Sequence, residues 1–139
     1  MIPVMLSVRG SQSYMDQDPD VIELVTEGTL TKLENGWQLQ YQETELTGLA
    51  GVTTIFSIEN DTITLTRTGK LNSQMVFREG VCHDSLYQTE FGTMLLSVCA
   101  KSIHYQLDET GGVVDMSYCI ELEQSMSGIV DYHLQIQPK

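Results

Sequence analysis

The stretch from Asp61 to Gly69, DTITLTRTG, alternates without a break between threonines and other side chains. Successive side chains of an extended strand point to opposite faces, so a period of two predicts a strand rather than a helix. The threonines suit a solvated face, whereas Ile63, Leu65 and Arg67 form a buried row. A charged residue in a buried row requires a counter-charge or a ligand. Any function inferred from this sequence therefore depends on what Arg67 contacts.

The same alternation recurs along the chain between glycine- and asparagine-containing turn signals such as Asn35-Gly36 and Asn60-Asp61. The inward rows include Trp37-Leu39-Tyr41, Val52-Thr54-Phe56-Ile58, Val114-Met116-Tyr118-Ile120-Leu122 and Tyr132-Leu134-Ile136. About ten strands joined by short turns predict an all-β, antiparallel up-and-down meander closed into a barrel of about eight to ten strands. A two-sheet sandwich is the alternative, but sandwiches usually need longer crossings.

Length and charge narrow the functional classes. The 139 residues predict one domain, 1–139, and 41% hydrophobic content suits a globular core. The net charge of −12 argues against binding to nucleic acids or anionic membranes, because both require a basic surface. No apolar run approaches the roughly 20 residues of a membrane span. A homodimer is compatible with the sequence, although no feature indicates one.

The N-terminal segment MIPVMLSVRG predicts a first strand rather than a secretion signal, because it lacks a basic lead and a long apolar run. We therefore expect a cytoplasmic protein. Cys82, Cys99 and Cys119 make an odd number without close spacing, so we expect no disulfide framework and no zinc site. Adjacent Cys82 and His83 would point to opposite faces of a strand, which disfavours a shared site. No cofactor, metal ligand set or catalytic motif is predicted.

Several segments follow one another as they do in the YwiB-like family of bacterial proteins. They are ELVTEGTL, NGWQLQYQE, TGLAGVTTIF, ITLTRTG, MVFREG, YQTEFGT and KSIHYQLDETGGVVDMSYCIELE. The chain resembles that family from about Val4 to Ile136, which implies a bacterial cytoplasmic origin and a calycin-like or lipocalin-like barrel. The resemblance implies no activity. Lipocalins carry Gly-x-Trp on the first strand, whereas Gly36-Trp37 opens about the third, so lipocalin ligand roles are not transferred.

Counting residues from the turns ranks the inward side chains by height. Arg67 lies about six residues beyond the Asn60-Asp61 turn, roughly 20 Å at about 3.3 Å per residue. Trp37 lies next to its own turn, so we expect Trp37 and Arg67 near opposite ends of the barrel. Glu43 is in register with Trp37 and should lie near the level of Arg67.

The polar end of the barrel is therefore the candidate site. Its expected members are Arg67, Glu43, Tyr41, Tyr132 and Ser73, with Glu45 as a further candidate. Tyr87 and Tyr118 are interpreted as core residues whose hydroxyls are satisfied.

Three hypotheses follow for the polar end. In the first, the barrel is non-enzymatic, and the Arg67 guanidinium grips the carboxylate or phosphate of a small anionic or amphipathic ligand. In the second, Arg67 pairs with Glu43 or Glu45 inside a filled barrel, which acts as a structural or protein-interaction domain. In the third, which is less favoured, Arg67 and Glu43 form an acid–base pair of an enzyme. Nothing in the sequence indicates the raised carboxylate pKa that the enzyme would need.

Overall fold

The computed structural model describes residues 2–13, 20–43, 50–70, 72–89, 92–122 and 126–139. These ranges contain ten strands: β1 (Ile2–Ser13), β2 (Asp20–Leu33), β3 (Gly36–Gln42), β4 (Val52–Glu59), β5 (Thr62–Gly69), β6 (Asn72–Arg78), β7 (Cys82–Thr89), β8 (Gly92–Asp108), β9 (Gly111–Leu122) and β10 (Met126–Pro138). Each strand pairs antiparallel with the next along the chain, and β1 also pairs with β10. The predicted all-β, up-and-down antiparallel barrel is thus confirmed, with ten strands.

The side chains that the alternation predicts to face inward fill the barrel interior. On β4, the side chains of Val52, Thr54, Phe56 and Ile58 are buried, while the residues between them are partly exposed. Corresponding residues of neighbouring strands lie side by side, so the inward rows stack into one apolar core. In the described part of the chain, no helix is long and apolar enough to cross a membrane.

Two of the turn signals that the sequence offers behave differently in the structure. The turn at Asn60 and Asp61 is where the sequence places it, and Asn60 has a φ of 52°. By contrast, Gly36 already lies in β3, so its hairpin turns at residues 34 and 35. Gly36 is needed for space rather than for positive φ, because a Cβ there would collide with the Ile58 carbonyl of β4. The sequence also predicts a loop at 16–20, DQDPD, and of these residues the structure describes only Asp20, where β2 begins.

The pairing between strands β6 and β7 is short. In the described residues, β6 and β7 pair at two positions, Asn72↔Gln88 and Ser73↔Tyr87. The turn that follows β6 contacts β8 instead: the Gly80 N–H donates to the Ala100 carbonyl at 3.0 Å. We call this interrupted ladder, with Ser73 at its paired end, the β6–β7 seam.

The structure overturns the expectation that the cysteines form no disulfide. Cys82 on β7 and Cys99 on β8 are bonded, with their Cα atoms 4.1 Å apart. The two residues are 17 positions apart in sequence, yet the β7–β8 hairpin places them directly opposite each other. Their spacing therefore carries no signal until the strand register is known. Cys119 on β9 is a free thiol.

Candidate functional site

Four polar side chains lie side by side on the interior face of strands β3 to β6. Tyr41 is opposite Thr54, Thr54 is opposite Arg67, and Arg67 is opposite Ser73. Directly opposite residues on antiparallel strands share a face and bring their Cβ atoms within about 5 Å of one another. We call these four residues the polar row. The next inward-facing row along the barrel, two residues away on each strand, is apolar and consists of Leu39, Phe56, Leu65 and Met75.

Glu43 reaches the polar row from the end of β3. Its backbone N–H donates to the Val52 carbonyl at 2.9 Å, which keeps the chain in register beyond the strand. The residue is 7% exposed, and its carboxyl group accepts a hydrogen bond from the Thr54 hydroxyl at 2.6 Å. Thr54 is completely buried. A short hydrogen bond to a buried carboxylate is charge-assisted and stronger than a neutral one.

Tyr132 crosses to the polar row from the opposite wall of the barrel. It lies on β10 opposite Gly10 of β1, and a Cβ on Gly10 would meet the Tyr132 ring at 3.7 Å. The Tyr132 ring packs against Phe56, with ring centroids 5.8 Å apart. Its hydroxyl lies 3.4 Å from that of Tyr41, and Tyr132 also interacts electrostatically with Arg67. Closure of the barrel therefore completes the site.

The electrostatics of the site favour a charged guanidinium surrounded by neutral phenols. Burial alone would lower the pKa of Arg67, but interactions with Tyr132, Glu43 and the other tyrosines outweigh it and raise that pKa. The pKa values of Tyr41, Tyr118 and Tyr132 are all raised, chiefly because burial disfavours the phenolate. At neutral pH the three phenols are consequently uncharged hydrogen-bonding groups.

Three buried polar atoms in the described residues have no hydrogen-bond partner. They are Nε of Arg67 and the hydroxyl oxygens of Ser73 and Ser85. These residues belong to the consecutive strands β5, β6 and β7, and the latter two strands form the seam. Leaving a buried polar group unpaired costs about 1–3 kcal/mol, and more for a charged group. The polar end of the barrel thus offers a hydrogen-bond donor of Arg67 directly beside an unused hydroxyl.

The structure brings together the five residues that the sequence selected. Arg67, Tyr41 and Ser73 belong to the polar row, and Glu43 and Tyr132 contact it. Their role in binding a ligand stays a prediction, and Glu45 lies outside the described residues. Trp37, paired with Ile58, is four positions along the barrel from the Thr54–Arg67 pair.

Sequence reasoning missed three contributors to the site. Thr54 was assigned to an inward row without a polar role, and only the register shows that its hydroxyl meets Glu43. Tyr118 was assigned to the core, and its ring does pack on that of Phe77, with centroids 4.5 Å apart. Tyr118 also interacts electrostatically with Arg67. Ser85 carried no signal, because its buried, unpaired hydroxyl depends on how β7 sits at the seam.

A second polar group lies on the outer surface and is chemically less distinctive. His133 Nδ1 and Asp115 Oδ1 are 2.5 Å apart on β10 and β9, beside a groove of about 390 Å³. Their side chains are 46% and 50% exposed. Interactions between polar side chains that are this exposed contribute little to stability, because water screens them. The polar end of the interior is therefore the stronger candidate site.

Comparisons with known proteins agree with the fold. A family model described as a domain of unknown function, DUF1934, matches residues 6–136. The uncharacterized β-barrel protein YwiB of Bacillus subtilis (strain 168) is 29% identical over 116 residues, covering 84% of this chain and 80% of that protein. A crystal structure of the B. subtilis ywiB protein matches with a TM-score of 0.89 and 24% identity, covering 99% of this chain and 92% of that one.

Proposed function

Since this chain belongs to the DUF1934 family of domains of unknown function, we propose a function from its own interior: a non-enzymatic barrel that binds a small anionic ligand. The Arg67 guanidinium and the Ser73 hydroxyl hold the anionic group of the ligand. Tyr41 and Tyr132 supply neutral hydroxyls beside it. The YwiB-like resemblance seen in the sequence is confirmed, whereas a relationship to calycins stays a prediction.

One observation carries this proposal. Arg67 Nε and Ser73 Oγ belong to directly opposite residues, and both atoms are buried without a hydrogen-bond partner in the described part of the chain. An oxyanion accepts from both groups at once and removes both desolvation penalties. Arg67 already interacts electrostatically with Tyr132 and Glu43, which favours a charged guanidinium before a ligand binds.

The charge of the protein restricts the ligand. A net charge of −12 repels anions at a distance, and the Glu43 carboxylate lies close to the site. A ligand with one negative charge and an apolar body meets less repulsion than a polyanion, and the apolar row of Leu39, Phe56, Leu65 and Met75 adjoins the polar row. We therefore expect monocarboxylates to bind better than inorganic phosphate.

Thermal-shift and native mass-spectrometry measurements test the proposal directly. The protein is exchanged into an ammonium buffer and screened against short-chain and medium-chain monocarboxylates and inorganic phosphate. Compounds that bind should raise the melting temperature of the wild type and appear as a one-to-one adduct. Arg67→Gln should abolish the shift, and Ser73→Ala should reduce affinity roughly 10- to 100-fold, because one hydrogen bond to a charged group is lost.

Arg78→Gln is the matched control. It removes the same charge from neighbouring β6, where Arg78 is 56% exposed and 3.5 Å from Asp61, so ligand shifts should persist. If Arg67→Gln keeps the full shift of every hit, the assignment to Arg67 is wrong. If no compound binds, Arg67 is satisfied internally by Tyr132 and Glu43, and the filled, structural barrel becomes the better explanation.

A further inference from the structure

The three cysteines form a row across the outer surface of three consecutive strands. Cys82 on β7 is opposite Cys99 on β8, and Cys99 is opposite Cys119 on β9. The neighbours of Cys99 along β8, Val98 and Ala100, are buried, so Cys99 points outward. The free Cys119 thus borders the Cys82–Cys99 disulfide on the side away from Cys82.

The strand geometry makes Cys119 a suitable attacking group. The Cα distance of 4.1 Å between Cys82 and Cys99 is typical of a non-hydrogen-bonded pair. The backbone groups of Cys99 then face β9, which gives its pair with Cys119 a Cα separation of about 5.5 Å, within the range of disulfides. Cys119 and Cys82 lie on opposite sides of Cys99. The attacking Cys119 sulfur, the Cys99 sulfur and the departing Cys82 sulfur can therefore lie in one line, as thiol–disulfide exchange requires.

We propose that this row is an intramolecular thiol–disulfide exchange site, in which Cys99 is bonded alternately to Cys82 and to Cys119. The Cys119 thiolate attacks the Cys99 sulfur, and the Cys99–Cys82 bond breaks as the Cys99–Cys119 bond forms. The electron pair of the broken bond leaves on the Cys82 sulfur, which takes up a proton. One thiol and one disulfide are present before and after, so the step needs no external oxidant or reductant.

Exchange changes which cysteine carries the free thiol, and therefore how exposed that thiol is to solvent. Cys119 is half-buried within the barrel wall, whereas Cys82 is exposed at the start of β7. Thiols react with external compounds only where they are accessible, so exchange converts a sheltered thiol into an accessible one. Loop length gives neither isomer a clear advantage, because the two disulfides enclose similar lengths of chain.

Peptide mapping of the oxidised protein tests the proposal without any mutation. The free thiol is alkylated with N-ethylmaleimide under native conditions, and the protein is digested with pepsin at acid pH, where further exchange is suppressed. The expected result is one maleimide per chain, found on Cys82 as well as on Cys119, together with peptides linked through Cys99–Cys119. Alkylation of Cys119 alone, however long the reaction, would overturn the proposal.

Serine variants supply the second arm, in a glutathione redox buffer that oxidises the wild type. Cys82→Ser should form the Cys99–Cys119 disulfide and show no free thiol, as Cys119→Ser does with Cys82–Cys99. Cys99→Ser is the control, because its remaining cysteines lie two strands apart, roughly 10 Å, and should both stay free. Two free thiols in Cys82→Ser, where Cys119→Ser has none, would contradict the exchange.

Discussion

The hydrogen bond between Thr54 and Glu43 offers the sharpest test of the polar end. Thr54→Val replaces the hydroxyl by a methyl group of nearly the same size, so the barrel loses a donor without gaining a cavity. The adjacent Thr53 makes an ideal control, because it lies on the same strand but its hydroxyl bonds the exposed Gln42 amide at 3.1 Å. Thr53→Val therefore carries the same change in β-propensity without touching the site.

The expected magnitudes differ clearly. Thr54 is completely buried and donates to a carboxylate at 2.6 Å, and a hydrogen bond to a charged group contributes about 1.5–3 kcal/mol. Thr53→Val should change stability by no more than about 0.5 kcal/mol, as is usual at the surface. For a chain of 139 residues, an unfolding entropy of about 2.1 cal/mol/K per residue converts the larger loss into about 5–10 °C of melting temperature.

Urea unfolding followed by Trp37 fluorescence provides the measurement. Trp37 is the sole tryptophan, and it lies away from the substituted residues, so its signal reports global unfolding. The midpoint should fall for Thr54→Val at an unchanged m-value, which indicates lost stability rather than an altered denatured state. If the two variants agree within about 0.5 kcal/mol, the Thr54 hydroxyl does not stabilise Glu43, and our account of the polar end is wrong.

Two further predictions concern the same interior. Because burial raises the pKa values of Tyr41, Tyr118 and Tyr132, absorbance at 295 nm on raising the pH should show at least three fewer titrating tyrosines in the folded than in the denatured protein. Keeping these tyrosines protonated costs the folded state nothing below the unfolded-state pKa of about 10, but the unfolded state gains free energy by ionising them at higher pH. The urea midpoint should therefore fall above pH 10. Titration of every tyrosine in the folded protein would contradict the raised pKa values. A Cβ at Gly28 would lie 2.7 Å from a β3 carbonyl oxygen, whereas one at Gly10 meets only ordinary contacts, so Gly28→Ala should cost about 1–3 kcal/mol and Gly10→Ala much less. Equal melting temperatures of the two alanine variants would refute the packing argument.

The barrel was predictable because its determinants are local. Alternation within β4 and β5 fixes which residues face inward, and Asn60-Asp61 fixes the hairpin between them. Together these features put Arg67 inside and four positions along the barrel from Trp37. The level of Glu43 also follows from a single hairpin, so local counting was enough to bring it near Arg67.

The remaining features depend on contacts between distant parts of the chain. Tyr132 meets Arg67 only because β10 closes on β1, which no turn signal specifies. The Cys82–Cys99 bond depends on the β7–β8 register, and Cys119 joins the row despite the β-bulge between Ala100 and Ser102. The β6–β7 seam has no local signature, because it arises from the β6–β7 turn binding to β8.

Strand β7 connects the two proposed sites. It points Ser85, with its buried and unpaired hydroxyl, toward the interior, and it carries Cys82 on the outside. In the described residues, β7 is joined to β6 by two register pairs but to β8 by eight and by the disulfide. When Cys99 exchanges to Cys119, the covalent link between β7 and β8 is lost beside the seam. In the described residues, β7 is then held by its hydrogen-bonded ladder to β8 and by its two register pairs with β6, so the proposed exchange would remove a covalent link from the strand that borders the seam.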